Sequence, residues 1–270
     1  MDKRINLFFF VVVIFVFPLF GFCQSAKEIK RFKLQMAQQG VAVDGDYFYV
    51  INNSSITKHS KEDGREVARW DGKAEGIKHL NSGTIIKEKL YCANSNFPAH
   101  PMAGSIEIFD PETLKHTGTH SFGIGHGSVT WIDQKDGFWW IGFAQYSGKN
   151  ADDGKDTRWT TLVKYTKDWA QVEAWIYPEN IIEAFMPMSN SGGSWDDNGY
   201  LYCTGHDKPE LYVMKLPKSG YTLEHVKTIP ATIHGQGIAI DRTVRNKLVI
   251  YGLSDRKESS VVVNEIAWDQ

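Results

Sequence analysis

Most of the histidines in this sequence lie in short polar segments that also carry amides, a carboxylate or an arginine. Imidazole titrates near neutral pH, and a guanidinium binds a carboxylate through paired hydrogen bonds. Such side chains, brought together, would perform acid-base chemistry on a small carboxylated molecule. The candidates for the chemical step are His126, His234, His206, Asp207 and Arg256.

A second group of polar residues is expected to bind the substrate. In this hypothesis Arg256 holds a carboxylate, His126 or His234 moves the proton, and Tyr146 is a supporting donor. Histidines that only bond neighbouring backbone carbonyls are the structural alternative. The candidate binding residues are His79, Asn94, Asn96, Tyr146, Gln236 and Asn190.

The candidate residues are far apart in the sequence, so the fold must bring them together. A repeated element in the sequence indicates how. A glycine followed by an alternating apolar run recurs at Gly40, Gly83, Gly127, Gly193 and Gly237, with spacings of 43, 44, 66 and 44 residues. Each copy predicts a strand, a polar turn and a second strand, and most copies continue with two more strands. Four short strands every 40 to 50 residues are typical of a β-propeller blade.

The two ends of the chain predict that the ring is closed by the N-terminal strand. Only 33 residues follow Gly237, and 16 residues run from Gln24 to Gln39, so together they make one blade. We therefore predict an all-β, five-bladed β-propeller in which Lys27 to Gln35 forms the outer strand of the last blade. A β-sandwich or a six-bladed ring is the alternative, but the extra residues of the long spacing, 145–160, lack a strand pattern.

This fold predicts where the chemistry would occur. In a propeller, the loop before each innermost strand and the loop after each second strand open on the same face. The candidate residues occupy these loops, so they are expected to meet at the mouth of the central channel. Histidines from several blades could also hold a transition metal there, with Asp207 adding an oxygen ligand. The sequence is compatible with a mouth that holds a metal cofactor and with one that does not.

Composition and motifs exclude several classes of function. The formal net charge is -2 and no basic block occurs, so nucleic acid is not an expected partner. The sequence lacks a GxSxG elbow, a Walker A loop, paired CxxC motifs and an EF-hand loop. We expect a monomer that binds a small-molecule or glycan ligand.

The N-terminal segment predicts export. MDKR supplies positive charge, and Ile5 to Phe20 is an almost unbroken apolar run of signal-peptide length. Cleavage near Cys23 would leave a single domain, 24–270, in the periplasm or outside the cell. A retained membrane anchor is the alternative, although this run barely spans a bilayer.

The cysteines are predicted to stay unpaired, although disulfides are common in exported proteins. Cys92 and Cys203 occupy equivalent second-strand positions in blades 2 and 4. These blades are not neighbours in a ring of five, so their Cα atoms should lie beyond the roughly 7 Å limit for a disulfide. We expect two buried, unreactive thiols.

Long motifs resemble a known family. HLNSG, ANSNFP, SFGIGHGSVTW, FWWIGFAQYSG, RWTTLVKY, NSGGSW, LYCTGHDKPELYV and GQGIAID are similar to exported bacterial propeller proteins often labelled "cycloisomerase". The resemblance covers nearly all of residues 35–257. It implies a propeller and an isomerase or lyase acting on a small carboxylated or sugar-derived ring.

Three functions follow from these observations. The preferred one is ring opening, ring closing or elimination on a carbohydrate-derived acid or lactone. The second is a non-catalytic module that binds glycans or peptides, with Trp159 and Phe97 as stacking platforms. The third is a lactone hydrolase that uses a metal-activated water. A catalyst needs at least one buried histidine with a shifted pKa, which a binding rim does not.

Overall fold

Each sequence repeat folds into one antiparallel four-stranded sheet, because alternating apolar residues and polar turns generate successive hairpins. The structure is a computed structural model that describes residues 26–267. Within these residues five sheets form a closed ring in which the innermost strands of neighbouring blades contact each other. The prediction of an all-β, five-bladed propeller is confirmed.

The strands are numbered along the chain, and the first of them, β1 (Ala26–Lys33), belongs to blade 5. Blade 1 contains β2 (Gly40–Val43), β3 (Tyr47–Asn52), β4 (Ser55–Ser60) and β5 (Glu66–Asp71). Blade 2 contains β6 (Leu80–Ile86), β7 (Lys89–Ser95), β8 (Ala103–Phe109) and β9 (His116–Ile124). Blade 3 contains β10 (Ser128–Lys135), β11 (Phe138–Ala144), β12 (Thr161–Tyr165) and β13 (Gln171–Ile176).

The remaining elements complete the ring. Blade 4 contains β14 (Gly192–Trp195), β15 (Leu201–Thr204), β16 (Glu210–Lys215) and β17 (Glu224–Pro230). Blade 5 contains β18 (Ala239–Ile240), β19 (Leu248–Leu253) and β20 (Ser260–Ile266) beside β1. Among residues 26–267, the connections contain one helix, α1 (Glu179–Phe185), and three short 3-10 turns, Lys73–Glu75, Gly148–Asn150 and Thr157–Trp159.

The ring is closed by the N-terminal strand, as predicted. β1 pairs antiparallel with β20, from Ala26 opposite Ile266 to Lys33 opposite Ser260. Phe32 is buried and packs in the core cluster that blades 1 and 5 share. The last blade therefore combines the two ends of the described chain.

Small residues bring the innermost strands together around the axis. A Cβ atom on Gly237 would lie 2.3 Å from the Cβ of Ser82 and 2.9 Å from the Cα of Gly40. The Ser82 hydroxyl also donates to the carbonyl of Thr130, at 3.0 Å. Blades 1, 2, 3 and 5 thus meet closely at this level of the axis.

The long connection in the second half of the chain differs from the sequence prediction in one respect. Residues 145–160 contain no strand, as expected, but the connection from β13 to β14 also contains α1, which was not predicted. Its apolar residues Ile181, Ile182 and Phe185 pack in the core beside Trp175. The extra residues of the long spacing are therefore shared between a loop and a helix.

Both cysteines of the described residues are free and fully buried, as predicted. Cys92 lies in β7 and Cys203 in the corresponding strand β15. Burial raises the pKa of the Cys203 thiol to about 12 and that of Cys92 well above its ordinary value. Both thiols therefore behave as small apolar groups at neutral pH.

The N-terminal segment that the sequence predicts to direct export, 1–23, lies outside the described residues, so both export and cleavage near Cys23 stay predictions. Among residues 26–267, no helix has the length and hydrophobicity needed to cross a bilayer.

A buried carboxylate joins three blades on the face opposite the predicted mouth. Asp133 of blade 3 is 1% exposed. Its Oδ2 accepts hydrogen bonds from the backbone N of Trp195 in blade 4, at 2.8 Å, and from Nη2 of Arg242 in blade 5, at 2.7 Å. The Ser194 hydroxyl donates to the same oxygen at 3.1 Å.

We expect Asp133→Asn to lower the free energy of unfolding by about 2 kcal/mol, because it weakens several hydrogen bonds to one buried charge and leaves Arg242 without its counter-ion. Urea denaturation would measure the change. Asp136→Asn is the matched control, since Asp136 lies in the following turn with a side chain 77% exposed. Equal stabilities of the two variants would contradict a role for Asp133 in joining the blades.

Candidate functional site

A small cup of about 100 Å³ lies at the predicted mouth, and all five blades contribute to its walls. Its residues come from the loops before the innermost strands, the loops after the second strands, and the first residues of the innermost strands. They are Gln39, His79, Asn81, Phe97, Thr130, Tyr146, Met188, Ser191, His206, Gln236 and Arg256.

An arginine and a histidine contact each other in the lining of the cup. Arg256 follows β19 in blade 5 and is exposed, whereas the His206 side chain, after β15 in blade 4, is 21% exposed. Nη2 of Arg256 donates a hydrogen bond to Nε2 of His206 at 3.0 Å. Because arginine stays protonated, Nε2 is the acceptor, and the proton of the neutral imidazole lies on Nδ1.

A carboxylate lies on the other side of the same imidazole. Oδ1 of Asp207 is 2.7 Å from Nδ1 of His206, in a close contact that is not aligned as a hydrogen bond. The Asp207 side chain is 73% exposed. His206 is thus flanked by a cation at Nε2 and an anion at Nδ1, and an imidazolium formed by protonation of Nε2 would have a counter-ion beside it.

A tight turn in blade 5 fixes the backbone of His206. Gly235 and Gln236 have φ values of +65° and +64°, and a Cβ atom on Gly235 would lie 2.4 Å from the carbonyl carbon of His206. Nε2 of Gln236 donates to the carbonyl oxygen of His206 at 2.7 Å, and the Gln236 backbone N donates to Gly205 at 3.0 Å. The turn therefore requires glycine at 235.

Three aromatic groups form the opposite wall. The ring of Phe97 packs between His79, at a centroid distance of 5.2 Å, and Tyr146, at 5.0 Å. Met102 and Ala144 pack with Phe97 and Tyr146. Burial raises the pKa of Tyr146 to about 12, so its hydroxyl stays protonated at neutral pH.

His79 is neutral at physiological pH. Burial, and then the positive charge of Arg256, lower the pKa of His79 to about 4. A histidine with this pKa donates or accepts a hydrogen bond without carrying charge. The cup therefore combines one fixed cation with neutral imidazole, hydroxyl and amide groups.

We expect His79 to make the protein less stable as the pH falls. The unfolded chain protonates His79 near pH 6.5, whereas the folded chain resists protonation down to about pH 4. The stability that neutral His79 contributes is complete above pH 6.5 and is lost progressively between pH 6.5 and 4. Chemical denaturation at several pH values should show a smaller decline for His79→Gln, and parallel curves for the two proteins would contradict the lowered pKa.

The cup contains some of the predicted site residues and not others. His206, Arg256, His79, Tyr146 and Gln236 line it, and Asp207 lies beside His206. His126 is exposed and packs on the ring of Phe143, with a centroid distance of 4.8 Å. His234 is half-buried and binds Leu253 through its backbone N. Neither histidine lines the cup.

The three predicted asparagines also lie outside the cup lining. Asn190 is buried, where its Oδ1 accepts from the indole of Trp131 and from the hydroxyl of Tyr177. Asn96 binds the carbonyl of Pro101 and the backbone N of Ala103, and thereby holds its own loop. Asn94 and Asn96 line a separate neighbouring pocket.

Gln39, Asn81 and Ser191 lie where the sequence repeats predict the entry to an innermost strand, whereas Thr130 and Met188 of the cup were not recognised in the sequence. Thr130 lies in β10, where the register shifts between Val129 and Trp131, so strand alternation gave no signal for it. Met188 follows α1 and had no recognisable signal, because the helix itself was not predicted.

A larger cavity of about 620 Å³ lies on the opposite face, next to Ala267 and between the turns of blades 4 and 5. Ion pairs within the protein hold some of its charges: Arg242 binds Asp133, and Asp241 lies 2.6 Å from Nζ of Lys61. No imidazole lines this cavity, whereas the cup combines a guanidinium with two imidazoles, so the smaller cavity is the stronger candidate.

Residues 26–267 contain no group of three or more His, Cys, Asp or Glu side chains that could hold a metal ion. His79 and His206 line the cup, but His126 and His234 do not join them there. The donor set expected for a transition metal at the mouth is therefore not assembled by the described residues.

Comparisons with known proteins identify no family. No family model matches the chain, and no curated protein matches it. Among solved structures, a protein of unknown function from Bacteroides caccae is similar with a TM-score of 0.47 and 11% identity, over 80% of this chain and 70% of that one. Sqt1 from Saccharomyces cerevisiae is similar with a TM-score of 0.38 and 10% identity, over 82% of this chain and 55% of that one.

Proposed function

We propose that this protein is an acid-base enzyme that binds a small carboxylic acid in the cup and moves a proton at the carbon next to the carboxylate. The contact between Arg256 and His206 carries the proposal, because it places a carboxylate anchor and a proton acceptor side by side. The expected cycloisomerase or lyase chemistry belongs to this reaction class.

Arg256 is the anchor for the substrate. Within the described residues it forms no salt bridge, and its exposed guanidinium lines a cup that contains no carboxylate side chain among its lining residues. A guanidinium binds a carboxylate through two parallel hydrogen bonds, which fixes the orientation of the acid as well as its position.

His206 is the base, a role that the sequence alone assigned to His126 or His234. Nε2 of His206 carries the lone pair and receives a hydrogen bond from Arg256 in the free protein. When the guanidinium of Arg256 binds a substrate carboxylate instead, the lone pair on Nε2 of His206 becomes available to the substrate. Asp207, beside Nδ1, stabilises the imidazolium that forms.

The reaction would proceed as an elimination or its reverse. Nε2 of His206 removes the proton from the carbon next to the carboxylate, and that electron pair forms a C=C bond. The C–O bond on the following carbon breaks, and the departing oxygen receives a proton from the hydroxyl of Tyr146. Where the departing oxygen belongs to a lactone ring, this opens the ring, and addition in the reverse direction closes it; where that oxygen lies outside the ring, the ring stays closed.

The substrate class follows from size and chemistry. The cup holds the volume of roughly three water molecules, at about 30 Å³ each, which is enough for a carboxylate and the reacting carbons. The rest of the substrate must extend out of the cup. A carbohydrate-derived acid, or a lactone that carries a second, free carboxylate, supplies the anion, the acidic carbon and the leaving oxygen in one molecule. We further propose that the protein is exported and that it acts as a monomer.

A second candidate function is a module that binds glycans without turnover. Trp159 is 56% exposed in the loop that follows β11, and Phe97 lines the cup. An exposed aromatic ring such as that of Trp159 can stack on a sugar, whereas the ring of Phe97 is packed between His79 and Tyr146. This function predicts binding without chemical change in the ligand.

The test uses uronic acids, aldonolactones and muconate-like diacids incubated with the protein in D₂O. Mass spectrometry should show a product, or deuterium at the carbon next to the carboxylate. We expect His206→Asn to lose at least about 100-fold in rate, as general bases contribute that much. His126→Asn, the matched control outside the cup, should keep the activity. Full activity in His206→Asn would contradict the proposal, and binding without exchange would favour the glycan-binding module.

A further inference from the structure

We propose that Asn81 determines the substrate specificity of the cup, because its side-chain oxygen binds a free hydroxyl group on the carbon next to the substrate carboxylate. The ligand is then a 2-hydroxy acid, and the protein selects one of its two enantiomers. The inference rests on the proposed function for the carboxylate anchor and the base.

Asn81 lies at the floor of the cup, across from the anchor and the base. It is the second residue of β6 and lines the cup from blade 2. A Cβ atom on Gly40 would lie 2.4 Å from the backbone oxygen of Asn81, so this residue adjoins the level at which the innermost strands meet. Blade 2 faces blades 4 and 5 across the ring, and these two blades carry His206 and Arg256.

Two carbonyl groups fix the orientation of the Asn81 amide. Nδ2 donates to the backbone oxygen of Val129 in blade 3 at 2.9 Å and to that of His79 at 3.4 Å. Both partners are acceptors, so the NH₂ group must face them and Oδ1 must point the other way. Asn81 is 7% exposed. Oδ1 receives no hydrogen bond from residues 26–267, yet it is not among their enclosed polar atoms that lack a partner. It is therefore a free acceptor that is open to the cup.

An open amide oxygen selects the group that binds it. Oδ1 of Asn81 only accepts, so its partner must supply an N–H or O–H hydrogen, which an ionised carboxylate lacks. An ammonium group is disfavoured, because no carboxylate side chain lines the cup and the charge of Arg256 acts as far as His79, whose pKa it lowers. A neutral hydroxyl group meets both conditions.

The size of the cup connects the three contacts. The cup holds the volume of roughly three water molecules, so an acid whose carboxylate binds Arg256 also reaches the floor. The carbon next to the carboxylate then presents its hydrogen to Nε2 of His206, its hydroxyl to Asn81 and its remaining substituent to the open mouth. In the other enantiomer the hydrogen and the hydroxyl exchange places, and Oδ1 of Asn81 stays without a partner. Only one enantiomer makes all three contacts.

The test compares small acids with the same carbon skeleton: propionate, the two enantiomers of lactate, alanine and 2-methoxypropionate. Nuclear magnetic resonance titration of the full chain measures the dissociation constant of each. We expect one enantiomer of lactate to bind about 10-fold more tightly than propionate, because it adds one hydrogen bond. The other enantiomer, alanine and 2-methoxypropionate should bind no more tightly than propionate.

A variant assigns the preference to Asn81. Asn81→Ala should abolish it, so that the preferred lactate binds only as tightly as propionate. Asn198→Ala is the matched control, because Asn198 is exposed in a turn of blade 4 beside the cavity on the opposite face. It should keep the preference. Asn81→Ala also removes the hydrogen bond to Val129, but the comparison of ligands on the parent protein does not depend on the folding of this variant.

The outcomes separate this inference from the proposed function. Equal affinities for the two enantiomers of lactate, tighter binding of alanine or 2-methoxypropionate than of propionate, or a preference that Asn81→Ala retains would overturn the role of Asn81. An affinity for propionate that Arg256→Gln leaves unchanged would instead overturn the carboxylate anchor, and with it the proposed function. Failure of every acid to bind would overturn both.

Discussion

Deletion of residues 24–35 is expected to abolish cooperative folding. These residues include β1, the outer strand of blade 5, which pairs with β20 along its whole length. Deletion would leave β20 with an unpaired edge and expose the core around the buried Phe32. Circular dichroism during heating should show no sigmoidal transition for the truncated chain, whereas the parent chain melts cooperatively.

A complementation experiment controls for a general loss of solubility. A synthetic peptide of residues 24–35, added to the truncated chain, should restore the melting transition, because the missing strand can pair with β20 from outside. An unchanged melting midpoint after deletion would contradict closure of the ring by β1.

Replacement of Arg256 by glutamine is expected to weaken binding of a small carboxylic acid at least about 100-fold, or about 2.7 kcal/mol. Arg256 is the single fixed cation that lines the cup, and glutamine cannot make a charged, bidentate contact with a carboxylate. Calorimetric titration with glucuronate measures the loss. The stability of the variant should change little, because Arg256 is exposed.

Lys257→Gln is the matched control for Arg256→Gln, since it removes one positive charge from the adjacent exposed position. It should bind glucuronate as the parent protein does. The pKa of His79 provides a second readout, because the charge of Arg256 contributes to its lowering. We expect this pKa to rise in Arg256→Gln and to stay constant in Lys257→Gln. Equal binding by the two variants would contradict the role of Arg256 as the anchor.

The fold could be predicted from the sequence because each blade repeats the same local signals. A glycine, an alternating run and a polar turn specify a hairpin without reference to the rest of the chain. Neither end of the chain has enough residues for a complete blade, so the two ends were predicted to share one. The pairing of β1 with β20 confirms this prediction. The helix α1 was missed because it is short and depends on the core into which Ile182 and Phe185 pack.

The site could be predicted only in part, because the direction of a side chain in a loop depends on local backbone geometry. Propeller topology correctly brought His79, His206 and Arg256 to one face. It did not predict that Asn190 would point into the core towards Trp131. At the start of β6 the register shifts between Leu80 and Gly83, so strand alternation cannot predict which residues there face the axis.

The most direct test of carboxylate binding in the cup is nuclear magnetic resonance of the nine histidine side chains during titration with glucuronate. We predict that the ring signals of His206 and His79 shift with saturation, because ligand binding removes the hydrogen bond from Arg256 to His206 and neutralises the charge beside His79. The signals of His126 and His234 should stay in place. Saturable shifts at His126 or His234, with His206 and His79 unchanged, would contradict the assignment of the cup as the site.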